Sequence, residues 1–206
     1  MVPTGANITC SKFCPNKASV LAAGDDTGVI TIWKTQKTEP KMSLACEQAI
    51  QTLLINEAIT HIFSGTVTGK AYVWDLETGQ ATRNFTGHGQ ACTALCTSMD
   101  NHNLLTGGQD CKVRIWDLRQ QKCVATMREH KDTVNAIRLS PDGKWVASGS
   151  SDGTMKIWDI RNDTLIENFE IPNQKVTCLE FNPQLLTLAN GSTDRTVKYW
   201  DMENFS

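Results

Sequence analysis

Hydrophobic and polar residues alternate along most of this chain, in short segments that turn residues separate. Turn signals occur at Pro-Asp-Gly 141–143 and at Ser-Ser-Asp-Gly 150–153. Around these turns, alternation with the period of a β-strand predicts four strands at residues 134–139, 144–148, 154–158 and 164–169. Because no segment combines a helical period with helix caps, the pattern predicts an all-β chain.

The strand pattern occurs five times along the chain. Each repeat ends on a tryptophan, at Trp33, Trp74, Trp116, Trp158 and Trp200. Successive tryptophans lie 41, 42, 42 and 42 residues apart, glycines keep the same spacing, and aspartate follows four of the five tryptophans. A period of this length that ends in Trp-Asp is the signature of a four-stranded propeller blade. Residues 1–206 are therefore predicted to form one segment of about five blades.

Composition narrows the class of protein further. The 206 residues include 20 Lys and Arg against 22 Asp and Glu, which gives a formal net charge of −2 at pH 7. This balance excludes a protein that holds nucleic acid by bulk positive charge, and we expect no nucleic-acid partner. No run of about 18 apolar residues occurs, so we expect neither a transmembrane helix nor a membrane partner.

The cysteines and histidines give no sign of a metal site. Most of the eight cysteines lie in apolar stretches, such as 91–96 and 176–179, so we expect buried free thiols rather than disulfides. The four histidines do not form a pair at ligand spacing beside a cysteine pair. We therefore expect no metal and no cofactor.

The repeats resemble the WD-repeat (WD40) family of β-propellers, from about Ile8 to Asp201. This resemblance implies a hydrogen-bonded brace in each blade. It links a His before the innermost strand, a Ser or Thr on the second strand, an Asp in the next turn and the Trp. Such a network satisfies buried polar groups, including the indole N–H. Two repeats match at all four positions, with His88, Thr106, Asp110 and Trp116 in one and His130, Ser148, Asp152 and Trp158 in the other.

The remaining three repeats match this brace less well. The second keeps Ser64 but has neither the His nor the Asp, and the fifth keeps Asp194 with Asn190 in the place of the Ser. The first keeps only Trp33. We therefore predict that the middle blades are the best specified and the first the least.

His88, Thr106 and Asp110 also have the residue types of a catalytic triad. The same types recur 42 residues later, and an enzyme needs one site whereas a propeller needs a brace in every blade. Neither a Gly-x-Ser-x-Gly nucleophile elbow nor a Walker phosphate-binding loop accompanies them. The sequence therefore predicts a non-enzymatic protein.

Several segments of the sequence also resemble the katanin-type WD-repeat regulatory subunits. Residues 135–148 and 192–205 carry this resemblance, with shorter matches at 41–44 and 73–77. It implies a protein that targets and regulates a microtubule-severing ATPase, with microtubules and the katanin ATPase subunit as partners. The implied location is cytoplasmic and cytoskeletal, such as a centrosome, spindle pole or basal body. A separate helical domain binds the ATPase subunit in that family, and we expect that region to lie outside this chain.

The same repeats allow an alternative, because WD repeats support many functions. It is a substrate receptor or assembly scaffold unrelated to microtubules, for example in a ubiquitin ligase. Either function predicts protein partners, bound at the narrow end of a propeller by residues just before the turn Asp and just after the His position. The candidates are Gln90, Gln109, Asp132, Ser151, Gln174 and Thr193.

Arg114, Lys156 and Lys198 each lie two residues before a repeat tryptophan. They form either a partial cationic row that faces an acidic partner, or long stems that pack against the blades while their charged heads stay in water.

The length of the chain corresponds to about five repeats of 42 residues. Seven blades are usual in the family that the repeats resemble, and propellers close on themselves to remove sheet edges. We therefore expect an incomplete, open part of a seven-bladed propeller whose last blade lacks its outer strand.

Overall fold

A computed structural model describes residues 5–14, 17–34, 37, 39–56, 58–98, 100–171 and 174–203. These residues form strands and turns and contain no helix, which confirms the predicted all-β class. None of the described residues belongs to a helix that is long and apolar enough to cross a membrane. The chain divides into two compact units, residues 1–95 and 96–206.

The first two antiparallel sheets lie in the N-terminal unit. The first sheet contains β1 (Ile8–Cys14), β2 (Lys17–Asp25), β3 (Val29–Lys34) and β4 (Met42–Ala45), in that hydrogen-bonding order. The second contains β5 (Ile50–Ile55), β6 (His61–Thr66), β7 (Lys70–Asp75) and β8 (Ala81–Thr86), also in chain order.

The next three sheets follow the same chain order. The third contains β9 (Cys92–Thr97), β10 (Asn103–Gly108), β11 (Val113–Asp117) and β12 (Lys122–Met127). The fourth contains β13 (Val134–Leu139), β14 (Trp145–Ser150), β15 (Thr154–Asp159) and β16 (Thr164–Glu170). The fifth contains β17 (Val176–Phe181), β18 (Thr187–Ser192) and β19 (Val197–Asp201).

The strands of the fourth repeat begin and end within two residues of the positions predicted from the sequence. The fifth sheet departs from the four-stranded pattern, because the described residues supply three strands there. Each sheet is a meander of short strands joined by tight turns. Gly28, Gly69 and Gly153 occupy three of these turns with positive φ, a conformation that glycine adopts without steric cost.

Successive sheets pack through a glycine on the second strand. An ideal Cβ built at Gly107 would lie 2.7 Å from Val134 Cγ1 and 2.8 Å from Ile137 Cδ1, so β13 sits where a larger side chain at 107 would be. The same contact recurs inside each unit, with Ile50 on Gly24, Cys92 on Gly65 and Val176 on Gly149. The first apolar residue of each of these inner strands is fully buried as a result.

The prediction of buried thiols is right for some cysteines and wrong for others. All eight cysteines are free, and Cys14 and Cys92 are buried. Cys123 and Cys178 are exposed, which corrects the prediction for the 176–179 stretch. Cys178 holds the register that Ala136 holds one repeat earlier. Ala136 is buried because the following sheet covers it.

We predict that Gly107→Ala destabilises the protein by about 1–3 kcal/mol, because the added methyl group overpacks the contact with Val134 and Ile137. Gly89→Ala is the matched control, since a Cβ there meets no atom within 4 Å. Urea unfolding followed by tryptophan fluorescence measures both changes. Equal midpoints for the two variants would contradict the packing described here.

Candidate functional site

The structure brings His130, Ser148, Asp152 and Trp158 together in the fourth sheet. The Trp158 indole N–H donates to Ser148 Oγ at 2.8 Å, and Ser148 Oγ lies 2.7 Å from His130 Nε2. His130 Nδ1 lies 3.2 Å from Asp152 Oδ2 and 3.1 Å from Thr154 Oγ1. Ser148 and Trp158 lie on neighbouring strands of one sheet and are fully buried, so the chain of bonds runs through the interior of the sheet.

Asp152 is the charged member of this network. Its Oδ1 accepts hydrogen bonds from the N–H and hydroxyl of Thr154, and its Oδ2 accepts one from the Lys131 N–H at 2.7 Å. Burial alone raises the pKa of this carboxyl, but the bonds from His130, Thr154 and Lys131 outweigh burial and hold the pKa well below its usual range. The carboxylate is therefore ionised at neutral pH, with its oxygens occupied by internal donors.

The third sheet has the same indole bond. Trp116 Nε1 donates to Thr106 Oγ1 at 2.8 Å, and His88 is buried. Asp110 accepts a hydrogen bond from Arg114 Nη1 at 2.8 Å. Both side chains of this ion pair are about 10% exposed.

The three other sheets have reduced versions of the network. Trp74 donates to Ser64 Oγ at 2.9 Å, and Trp200 donates to Asn190 Oδ1 at 2.7 Å. In the first sheet Ala23 holds the acceptor position, and Trp33 has no hydrogen-bond acceptor among the described residues. The residue at the Ser position therefore decides whether the indole N–H finds an acceptor in its own sheet.

Gln48 is a member of the second sheet's network that sequence reasoning missed. Its side-chain oxygen accepts hydrogen bonds from Thr66 Oγ1 at 3.1 Å and from Thr68 Oγ1. Gln48 lies two residues before β5, at the position that Gln90, Asp132 and Gln174 hold before their own inner strands, and this shared polar position is the signal that could have found it. Thr154 was also missed, although the pattern Asp-x-Thr recurs at Asp194 and Thr196 with the same hydroxyl–carboxylate bond.

Two of the three cationic residues before the tryptophans, Arg114 and Lys156, do not keep their charged heads in water, whereas the Lys198 side chain is 42% exposed. Arg114 and Lys156 are 8% and 6% exposed, which corrects the reading in which packed stems carry solvated heads. Lys156 Nζ donates to Asn168 Oδ1 at 2.9 Å, and Lys198 Nζ lies 3.8 Å from Asp194. In the third and fourth sheets these cations are bonded inside the sheet, where they do not form a row on the surface.

The six predicted partner-binding residues all lie in turns or loops. Gln90 belongs to the N-terminal unit and is exposed just before β9. The other five belong to the C-terminal unit. They are Gln109, Ser151 and Thr193, in turns after a second strand, and Asp132 and Gln174, just before an inner strand.

Local hydrogen bonds bring these loops together in pairs at one end of the fourth and fifth sheets. In the fourth sheet Ser150 Oγ donates to the Asp132 carbonyl, and the Ser151 N–H donates to the Thr133 carbonyl. In the fifth sheet Thr193 Oγ1 donates to Gln174 Oε1 at 3.2 Å. Gln109, Asp132 and Thr193 are exposed there, whereas Ser151 and Gln174 are half-buried.

A cavity of about 260 Å³ lies beside the network of the fourth sheet. Lys131, Asp152, Lys156, Asn168 and Glu170 line part of its wall. The wall therefore presents both signs of charge, and its Asp and Asn oxygens already accept hydrogen bonds from the protein.

Two cysteines, Cys111 beside the Gln109 turn and Cys96 near the end of β9, have thiols with a raised pKa. Burial raises the pKa of the Cys111 thiol, and the charges of Asp132, Asp110 and Asp152 raise it further. Burial likewise raises the pKa of Cys96. A raised pKa leaves the thiol protonated and poorly nucleophilic at neutral pH. The described residues also contain no group of three His, Cys, Asp or Glu side chains that could hold a metal ion.

Comparison with known families identifies the repeats. The model of the family described as "WD domain, G-beta repeat" matches residues 79–117, 121–159 and 164–201. These three segments cover more than half of the chain and correspond to the repeats that end at Trp116, Trp158 and Trp200.

Several curated proteins are similar to part of this chain. "Protein ROOT INITIATION DEFECTIVE 3" of Arabidopsis thaliana is 29% identical over 45% of this chain and 21% of its own length. "WD repeat-containing protein 3" of Homo sapiens is 30% identical over 51% of this chain and 11% of its own length. "Set1 complex component swd1" of Schizosaccharomyces pombe is 41% identical over 25% of this chain and 13% of its own length. The chain thus spans about a fifth or less of these relatives.

We predict that Ser148→Ala destabilises the protein more than Ser64→Ala. Both serines are fully buried, but Ser148 bonds Trp158 and His130, whereas the one side-chain partner of Ser64 among the described residues is Trp74. Each buried polar group left without its partner costs about 1–3 kcal/mol. Urea denaturation of both variants measures the difference, and a loss for Ser64→Ala that equals or exceeds that for Ser148→Ala would contradict the arrangement.

Proposed function

Since this chain belongs to the WD40 family of G-beta repeat proteins, we propose that it is a non-enzymatic scaffold that binds other proteins. WD40 proteins are generally scaffolds of this kind, and one of the relatives is named as a WD repeat-containing protein. The proposal rests on the hydrogen bonds that join His130 to Ser148 and to Asp152. Residue types that catalyse reactions elsewhere are bonded to one another here, and His130 and Ser148 are buried.

The proposed binding surface is the loop end of the C-terminal unit, defined by Gln109, Asp132, Ser151, Gln174 and Thr193. Loops held on a rigid scaffold are the usual place for binding residues. Two exposed cations, Lys131 and Lys175, lie beside this surface. Among the described residues, no carboxylate forms an ion pair with the ammonium group of either lysine, so both suit an acidic partner.

The finer proposal is a katanin-like regulatory or targeting subunit in microtubule severing. Its support is the resemblance of residues 135–148 and 192–205 to the katanin-type subunits, together with the lysines that suit an acidic surface. Microtubules and the severing ATPase are the proposed partners, and the cytoplasmic cytoskeleton is the proposed location. A scaffold for an assembly unrelated to microtubules is the second candidate, and the relative named as a Set1 complex component supports it.

We predict that the chain pellets with polymerised tubulin, either alone or together with the purified severing ATPase. Lys131→Glu combined with Lys175→Glu is expected to reduce the pelleted fraction at least several-fold, because it places negative charge beside the binding loops. Lys122→Glu is the matched control. It is an exposed lysine at the start of β12, at the opposite end of its sheet from the Gln109 turn.

Pelleting that Lys122→Glu weakens as much as the double variant does would contradict the assigned surface. Absence of pelleting both with and without the ATPase would contradict the microtubule proposal and leave the assembly scaffold as the better candidate.

A further inference from the structure

One face of the fifth sheet is apolar and exposed. On β19, Val197 is 61% exposed and Tyr199 is 77% exposed. The residues in the same register on the fourth sheet, Met155 and Ile157, are both 0% exposed because they pack in a cluster that includes Val176 of the fifth sheet. This fifth-sheet face, defined by Val197, Tyr199 and Gly191, is therefore of the kind that another sheet covers elsewhere in the chain.

The first sheet has a matching exposed face on β1. Ile8 and Phe13 are 62% and 57% exposed. The residues that hold the register of Ile8 in the four later repeats are all 0% exposed, namely Ile50, Cys92, Val134 and Val176. Ile8 and Phe13 define this first-sheet face, which has the form of the inner strand that elsewhere covers a preceding sheet.

Glycine contacts show which groups the two faces would bring together. Each of the four earlier glycines meets the first apolar side chain of the next inner strand. Gly191 holds the same register, but a Cβ built there meets only Cys178 and Thr177 of its own sheet. Gly191, which meets no following inner strand among the described residues, and the exposed apolar side chain of Ile8 are the two halves of this recurring contact.

A threonine hydrogen bond repeats in the same way. Thr9 Oγ1 donates to the Gly24 carbonyl of its own sheet at 3.1 Å and to the Ile50 carbonyl of the next sheet. Thr177 holds the register of Thr9 and makes the equivalent bond to the Gly191 carbonyl at 3.1 Å. The carbonyl of Ile8 holds the register of the Ile50 carbonyl, so it is the matching second acceptor for Thr177.

Charge is complementary at the same positions. Arg138 on β13 donates to Glu180 on β17 at 3.0 Å across two stacked inner strands. Lys12 of β1 holds the same register as Arg138 and Glu180. If a first sheet packs on the fifth sheet as the fifth packs on the fourth, Glu180 faces Lys12. The Glu180 side chain is 71% exposed despite its bond to Arg138, and Lys12 is exposed. An exposed ion pair adds little affinity but helps to set the register of an interface.

We propose that the fifth-sheet face binds the first-sheet face of a second copy of this chain. Ile8 of the second copy packs on Gly191, its carbonyl accepts a hydrogen bond from Thr177, and its Lys12 pairs with Glu180. The two surfaces differ, so the contact is head-to-tail and can propagate from copy to copy. Contiguous exposed apolar patches are a common mark of such protein interfaces.

Complementation between two variants tests this contact. Light scattering coupled to size exclusion should give a mass of two or more copies for the wild type, rising with concentration. Ile8→Glu and Tyr199→Glu each remove one face and should each give a single copy. An equimolar mixture of the two keeps one intact pair of faces and should give a species of two copies that grows no further.

Val124→Glu is the matched control, since Val124 is a 52% exposed apolar residue on β12 and belongs to neither face. It should associate like the wild type. Val197→Glu gives a second variant of the fifth-sheet face and should behave as Tyr199→Glu does. A single-copy mass for the wild type, equal weakening by Val124→Glu, or a mixture that stays monomeric would each overturn the proposal.

Discussion

The inner strands of successive sheets are held by one contact, in which an apolar side chain lies on a glycine of the sheet before it. Any side chain at that glycine would occupy the space of the neighbour, as the distances from Gly107 to Val134 and Ile137 illustrate. The contact allows the backbones to approach closely and removes the first residue of each inner strand from water. One such glycine therefore occurs in each sheet, and the interval between glycines in the sequence equals the length of one repeat.

In the four sheets after the first, a hydrogen bond from the tryptophan indole complements this apolar packing. The tryptophan buries a large aromatic surface, and its N–H needs an acceptor once the next sheet excludes water. Ser148 supplies that acceptor and also bonds His130, which connects to the ionised Asp152. The same chemistry supports the proposed scaffold role, because the network satisfies its polar groups internally and leaves the exposed loops for recognition.

Much of this arrangement could be predicted from the sequence. The strands of the fourth repeat follow from alternation and turn residues, which are local properties of the chain. The residues of its network follow from the family pattern. The burial of Lys156 and the exposure of Cys178 could not be predicted, because each depends on whether another strand covers that position. Cys178 and Ala136 hold the same register, and the difference between them lies in the following sheet rather than in their own segments.

A double-mutant cycle between Gly107 and Val134 tests most directly whether the glycine contact governs the packing of the sheets. Gly107→Ala adds a methyl group and Val134→Ala removes the Cγ atoms that it would strike. The double variant should lose less free energy of unfolding than the two single variants lose together. The difference should be at least about 0.5 kcal/mol, as expected for residues in contact. Losses that add to within a few tenths of a kcal/mol would contradict this account.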